Sequence, residues 1–166
     1  MDEAQPGDVV ELELPARPEV VSVARMVIGA LVAGDPLFDD ERAADMRLAV
    51  SEACTNAIQA HLAHPAAADD HLVVMRCTLA AGHIEVEVTD HGGGFDPAEL
   101  RPHPDVTDPA RLEHERGLGI PLMRMLADDL RFDAVEGGTR TTMRFEPRSR
   151  PAAEGGEGDP RPRGLG

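Results

Sequence analysis

The stretch HLVVMRCTLAAGHIEVEVTDHGGG, His71 to Gly94, decides how the chain folds. Two apolar, β-branched runs flank Ala81-Gly82, the spacing of a hairpin between adjacent antiparallel strands. In the second run Ile84, Val86 and Val88 point one way and Glu85, Glu87 and Thr89 the other, a period of two that predicts a strand with one face in a core. That strand delivers Asp90 at its end, followed by Gly92, Gly93 and Gly94. A carboxylate at a strand end can face a pocket, and glycines behind it let the backbone turn with positive φ and approach a flat ligand closely. A tight loop leaving a strand accounts for the same run, so the stretch needs companions before it means chemistry.

Upstream, DVVELELPA sets Val9, Glu11 and Glu13 against Val10, Leu12 and Leu14 and predicts a strand ending at Pro15. RPEVVSVARMVIGALVAG follows with helical apolar spacing, stopping at Gly34 as a C′ glycine. Asp39 or Asp40 caps a second helix, DERAADMRLAVSEACTNAIQAHLAH, which must end before Pro65. Its core stripe is Met46, Ala49, Val50, Ala53, Ala57, Ile58 and Leu62, recurring at three and four.

Downstream, residues 96–116 carry four prolines and no long apolar period, which reads as a connecting lid. GLGIPLMRMLADDL resumes helical spacing with Ile120, Met123 and Leu126 on one side, and LRFDAVEGGTRTTMRFEP gives two strands around Glu136-Gly137-Gly138. The order β, α, α, β, β, lid, α, β, β predicts an α/β (α+β) two-layer sandwich: a mixed, mostly antiparallel sheet with helices on one face. One domain over residues 8–146 is expected, and a Pro/Gly/Arg-rich tail, 147–166, too poor in apolar residues to fold.

Composition bounds the partners. At 166 residues the chain can bury a real core without metals or disulfides. A net charge of −15 repels phosphate backbones and acidic lipids, which argues against nucleic acid or an anionic membrane as partner. Cys54 and Cys77 lie inside apolar-periodic segments, as buried reduced thiols suited to a cytoplasm. The N-terminus has no apolar h-region and no stretch reaches the length of a membrane span, so the expectation is a soluble, cytoplasmic protein. With no Trp or Tyr and four Phe, the core must be built from Val, Leu, Ile, Met and Ala.

Two companions to Asp90 exist. Glu52 and Asn56 are four apart on the second helix and share a face; in isolation such a pair is more often surface decoration. In RGLGI, Gly117 and Gly119 open a helix whose free N–H groups can point at an anion; a flexible loop-to-helix junction is an equal reading.

Taken in order, Glu52-x-x-x-Asn56-Ala57, Asp90-x-Gly92-x-Gly94, the lid, Gly117-Leu118-Gly119 and Gly138-Thr139 resemble the N, G1 and G2 boxes and terminal Gly-Thr of the GHKL (Bergerat-fold) ATPases. Within that superfamily the chain looks most like the stand-alone anti-sigma-factor serine/threonine kinases, over roughly Asp8 to Glu146, with SEACTNAIQAH and ERGLGIPLMRMLAD carrying most of the likeness. The resemblance implies ATP and Mg²⁺ as cofactors. It implies that Asp90 accepts the adenine amine, that Gly92 and Gly94 let the loop pass the base, and that Asn56 ligates Mg²⁺. Gly117 and Gly119 would offer N–H groups to the phosphates, Thr139 would seat adenine, and Glu52 would be the general base toward a protein serine or threonine. The implied partners are a sigma factor and an anti-anti-sigma antagonist; a homodimer stays open.

The chain departs from that family at one point. NAIQAH puts Ala60 where the family's Asn-Ala-x-x-His-Ala has its histidine, and His61 one position later, a turn of about 100° on a helix. No role passes to His61. His91 is expected to be exposed rather than catalytic, and Arg111, Arg116 and Arg124 are candidates for phosphate contact. A non-catalytic ATP-holding regulatory module, or a detached histidine-kinase-like ATPase domain, would need the same pocket.

Overall fold

A computed structural model describes residues 7–63, 72–93 and 118–148. The loop 65–70, Gly94, the lid 96–116 with Arg111 and Arg116, Gly117, and the tail beyond 148 lie outside the described residues. The described elements are β1 (Asp8–Pro15), α1 (Val21–Ala33), α2 (Asp40–Ala63), β2 (Leu72–Ala80), β3 (His83–Asp90), α3 (Gly119–Leu126), β4 (Asp129–Val135) and β5 (Gly138–Phe145), with a 3-10 turn, Pro18–Val20, leading into α1. The sequence order of strands and helices is the one expected.

The strands form one sheet in the order β1-β2-β3-β5-β4, and all four pairings are antiparallel. Register carries the period of two across the sheet. Leu12 pairs Met75, Met75 pairs Val88, Val88 pairs Thr141, and Thr141 pairs Phe132; the next inward row is Val10, Cys77, Val86, Met143 and Leu130. In β3 burial alternates without a break, Ile84, Val86, Val88 and Asp90 lying inside. The outward rows are charged: Arg76 lies 3.8 Å from both Glu11 and Glu87, and Glu87 lies 3.7 Å from Arg140. A face of alternating charge takes no second apolar layer, so the helices stand on the other side only.

The helices cover the inward face by apolar stripes. α1 buries Ala24, Ile28 and Val32. It stops at Gly34, but Gly34 has φ −81, in the right-handed region, so it is not the left-handed C′ glycine expected. The break comes instead from Asp35-Pro36, where a proline disfavours helix for the residue before it. α2 is capped by Asp39, whose Oδ1 accepts the N–H of Arg42 at 2.7 Å, a bond worth about 1 kcal/mol. Met46, Ala49, Val50, Ala53, Ala57 and Ile58 are buried as expected. Leu62 is not, at 58% exposure. The stripe continues from Ala57 and Ile58 at spacings of four and three to His61, which is 1% exposed, and Leu62 is turned about 100° out of it. The core closes with Met46, Met75, Met123, Met143 and Phe145, all without exposed surface; truncating such a side chain to alanine costs about 2–5 kcal/mol.

Candidate functional site

The site begins with parity. Because side chains alternate along β3, the face that buries Val86 and Val88 also carries Asp90, 6% exposed, at the end of the strand nearest α2. Its Oδ1 accepts the N–H of Gly92 at 2.9 Å, and Thr139 of β5 is its register partner. Burial pushes the Asp90 carboxyl above the ordinary carboxylate range. The Gly92 N–H, His91, a backbone hydrogen bond from Thr139, and His61 pull it back.

Gly92 belongs here because of a close approach. A Cβ at Gly92 would lie 2.4 Å from the carbonyl carbon of Ala60 and 2.5 Å from the nitrogen of His61, so the loop after β3 rests directly on the α2 backbone. Of the described residues of that run, Gly93 uses positive φ, at +89, and its N–H donates to the carbonyl of Gly137 at 2.9 Å. His91 is half-buried rather than exposed and donates from Nδ1 to the carbonyl of Glu136 at 3.2 Å. The loop is thereby stapled to the β4–β5 turn. Gly138, expected in that turn, is instead the first residue of β5, packed against the carbonyl of Asp90.

The other end of the site lies on α2. Glu52 and Asn56 are half-buried, and the first residue of α3 comes down on both: a Cβ at Gly119 would lie 2.9 Å from Glu52 Oε2 and 3.3 and 3.4 Å from the two amide atoms of Asn56. Three pieces of sequence, more than sixty residues apart at the extremes, thus converge, with α2 contacting β3 and α3 alike. Thr139 is buried beside Asp90. Arg124 is exposed on α3, turned about 140° from Gly119, and does not join them.

Chemically the site offers an acceptor carboxylate in an apolar wall at the end of β3, and, on α2, a carboxylate and an amide oxygen under the N-terminus of α3. Among the described residues no group of three or more His, Cys, Asp or Glu side chains gathers to cage a metal. Hard oxygen donors in that small number fit Mg²⁺, which keeps most of its shell as water and substrate phosphate.

The family model for the histidine kinase-like ATPase domain matches residues 14–145. The serine-protein kinase RsbW of Bacillus pumilus is 34% identical over 147 residues, 86% of this chain and 89% of the relative. That of Bacillus licheniformis is 32% identical over 150 residues, 87% and 89% of the two chains. The chain belongs to the histidine kinase-like ATPases, in the RsbW serine-protein kinase family. Among solved structures, the RsbU and RsbW domains of Rv1364c from Mycobacterium tuberculosis share the fold with a TM-score of 0.60 at 20% identity, over 85% of this chain and 32% of that one.

In this member of the histidine kinase-like ATPases two residues near or behind the site escaped the sequence. His61 is fully buried and its electrostatic influence lowers the pKa of Asp90; the stripe spacing could have found it, since it stands four after Ala57. Arg42 is 3% exposed at the start of α2. Its carbonyl partners lie 84 and 104 residues away, and no local pattern announces them.

Proposed function

We propose that the chain is an ATP-dependent protein serine/threonine kinase of the anti-sigma type. It binds ATP with Mg²⁺, sequesters a sigma factor, and phosphorylates an anti-anti-sigma antagonist on serine or threonine. The observation that carries the reading is the seat of Gly119 on Glu52 and Asn56, which puts a helix N-terminus, a carboxylate and an amide oxygen in one place. Family membership supports the same reading.

The roles follow from the chemistry of each group. Asp90 accepts a hydrogen bond from the adenine amine, beside the backbone N–H groups of Gly92 and Thr139 that already donate to its carboxylate. Gly92, and Gly94 with it, let the loop pass the base, while Thr139 lines the adenine end. Gly117 and Gly119 present N–H groups to phosphate at the positive end of α3. Asn56 holds Mg²⁺, which supplies charge neutralisation on the phosphates when bound. Glu52 takes the proton from the attacking hydroxyl, a contribution of about 10²–10⁴ in rate.

The test is incubation with ATP labelled at the γ-phosphoryl and the protein products encoded beside this chain. The expected result is a labelled serine or threonine on one of them. Binding of ATP with no transfer to any would replace the kinase reading by a nucleotide-gated binding module.

A further inference from the structure

Arg42 occupies an address where an arginine is rarely fully buried unless it is paired. Its Nε donates to the carbonyl of Glu146 at 2.9 Å and its Nη1 to the carbonyl of Leu126 at 2.6 Å. Nη2 donates to the carboxylate of Asp128, and the guanidinium lies 5.2 Å from the centre of the Phe145 ring. The same Asp128 oxygen accepts the N–H of Glu146 at 2.7 Å, and the Asp128 N–H donates to Arg144 at 2.9 Å. One side chain of α2 therefore fastens the end of α3, the start of β4 and the end of β5.

Leu126 is the last residue of α3, and Gly119, the first, sits on Glu52 and Asn56. α3 thus runs antiparallel along α2 and is gripped by it at both ends. Arg42 holds the negative end of the α3 dipole, and the carboxylate and amide receive the positive one. The spans agree in scale: eight residues of α3 cover about 12 Å, and the ten steps from Arg42 to Glu52 about 15 Å.

We propose that Arg42 is a positioning residue for phosphoryl transfer: it fixes the longitudinal register of α3 on α2 and so sets where Gly119 stands relative to Glu52 and Asn56. The proposal rests on the reading of those three residues as the phosphate end of the site. The adenine end, Asp90 with Gly92 and Thr139, lies at the opposite end of β5 from Phe145 and Glu146, which Arg42 touches, and should be indifferent to it.

Arg42→Lys keeps the charge and stem but loses the planar fork that reaches several acceptors at once; Arg42→Met keeps only the stem. For both, kcat for transfer is expected to fall, on the order of 10- to 100-fold for Met and less for Lys, the scale of an ångström-sized misplacement. Affinity for adenosine, which engages the adenine end alone, should hold, and amide hydrogen exchange should quicken in Ile120–Met123 while the sheet stays protected. Arg148→Ala, which removes bonds to Glu41 and Asp45 at the same end of α2 without touching α3, should transfer at the wild-type rate. Should Arg42→Met not fold, Asp128→Asn leaves the two carbonyl bonds in place, and its kcat should fall between wild type and Arg42→Lys. Wild-type kcat in the folded Arg42 variants, or a loss that only follows the folded fraction, overturns the positioning role. If the wild type neither binds ATP nor transfers, the functional reading fails and this proposal with it; if the wild type transfers and the variants match it, only the role of Arg42 fails.

Discussion

At the scale of the residue, Asp90 holds a tension between stability and binding. Burial raises its pKa in the folded chain, so the folded state binds a proton more tightly than the unfolded one. The contribution of Asp90 to stability is therefore fully present below its unfolded value and is lost as pH rises through the raised folded value. Asp90→Asn removes that cost at neutral pH while its amide oxygen can still accept from Gly92. The ligand-free variant should melt higher, by about 2–4 °C for each kcal/mol recovered, and scanning calorimetry of the two proteins checks it. The same change turns an amide donor toward the adenine amine, so ATP binding should vanish in titration calorimetry; unchanged affinity would remove Asp90 from the adenine end. Gly119→Ala separates the two quantities the other way. The three atoms nearest its methyl group are flexible ends of Glu52 and Asn56, and alanine is the better helix former, so the melt should hardly move. Transfer should drop on the order of 100-fold as those ends are displaced.

At the scale of the element, the glycines at strand ends behave differently, because what a new methyl group meets there is backbone. At Gly138 it would lie 1.7 Å from the Asp90 carbonyl oxygen, and at Gly92 between 2.4 and 2.6 Å from the Ala60–His61 peptide. Neither neighbour can rotate away. Alanine at either position is expected to cost about 1–3 kcal/mol or more and to weaken ATP binding with it, read as a lower melting temperature and a weaker titration. These contacts also mark where the sequence stops being legible. Alternation along β3 put Asp90 on the core face, and three-four spacing gave most of the α2 stripe, because both signals are local periods. Gly138 looked like part of a turn since its neighbour across the sheet, Asp90, is 48 positions earlier in the chain. Arg42 stands among the charges of a polar first turn, and its partners come from α3 and from the strand ends. Leu62 against His61 was a matter of helical phase, where one residue decides inside from outside.

At the scale of the whole molecule, the layers explain which groups are silent. Cys54 on α2 and Cys77 on β2 face each other's layer from inside the core; burial pushes the first thiol up to about 12, with Cys77 adding to it, and the second up to about 11. Thiolate is the reactive form, so neither cysteine should react with an aromatic disulfide reagent in the native state, and labelling should follow global unfolding; fast labelling would contradict the layered core. The opposite sheet face is a ladder of exposed ion pairs, each worth little, and the net charge of −15 serves solubility and association rates more than fold. No described helix is long and apolar enough to cross a membrane. The proposed site lies between the layers, and α2 carries Glu52 and Asn56 into it. The most direct test of that account is a paired measurement on wild type and Glu52→Ala: ATP affinity by calorimetry, and transfer of the labelled γ-phosphoryl to the antagonist protein. Equal ATP affinity with transfer abolished in the variant is the predicted result, and transfer that survives in Glu52→Ala would contradict it.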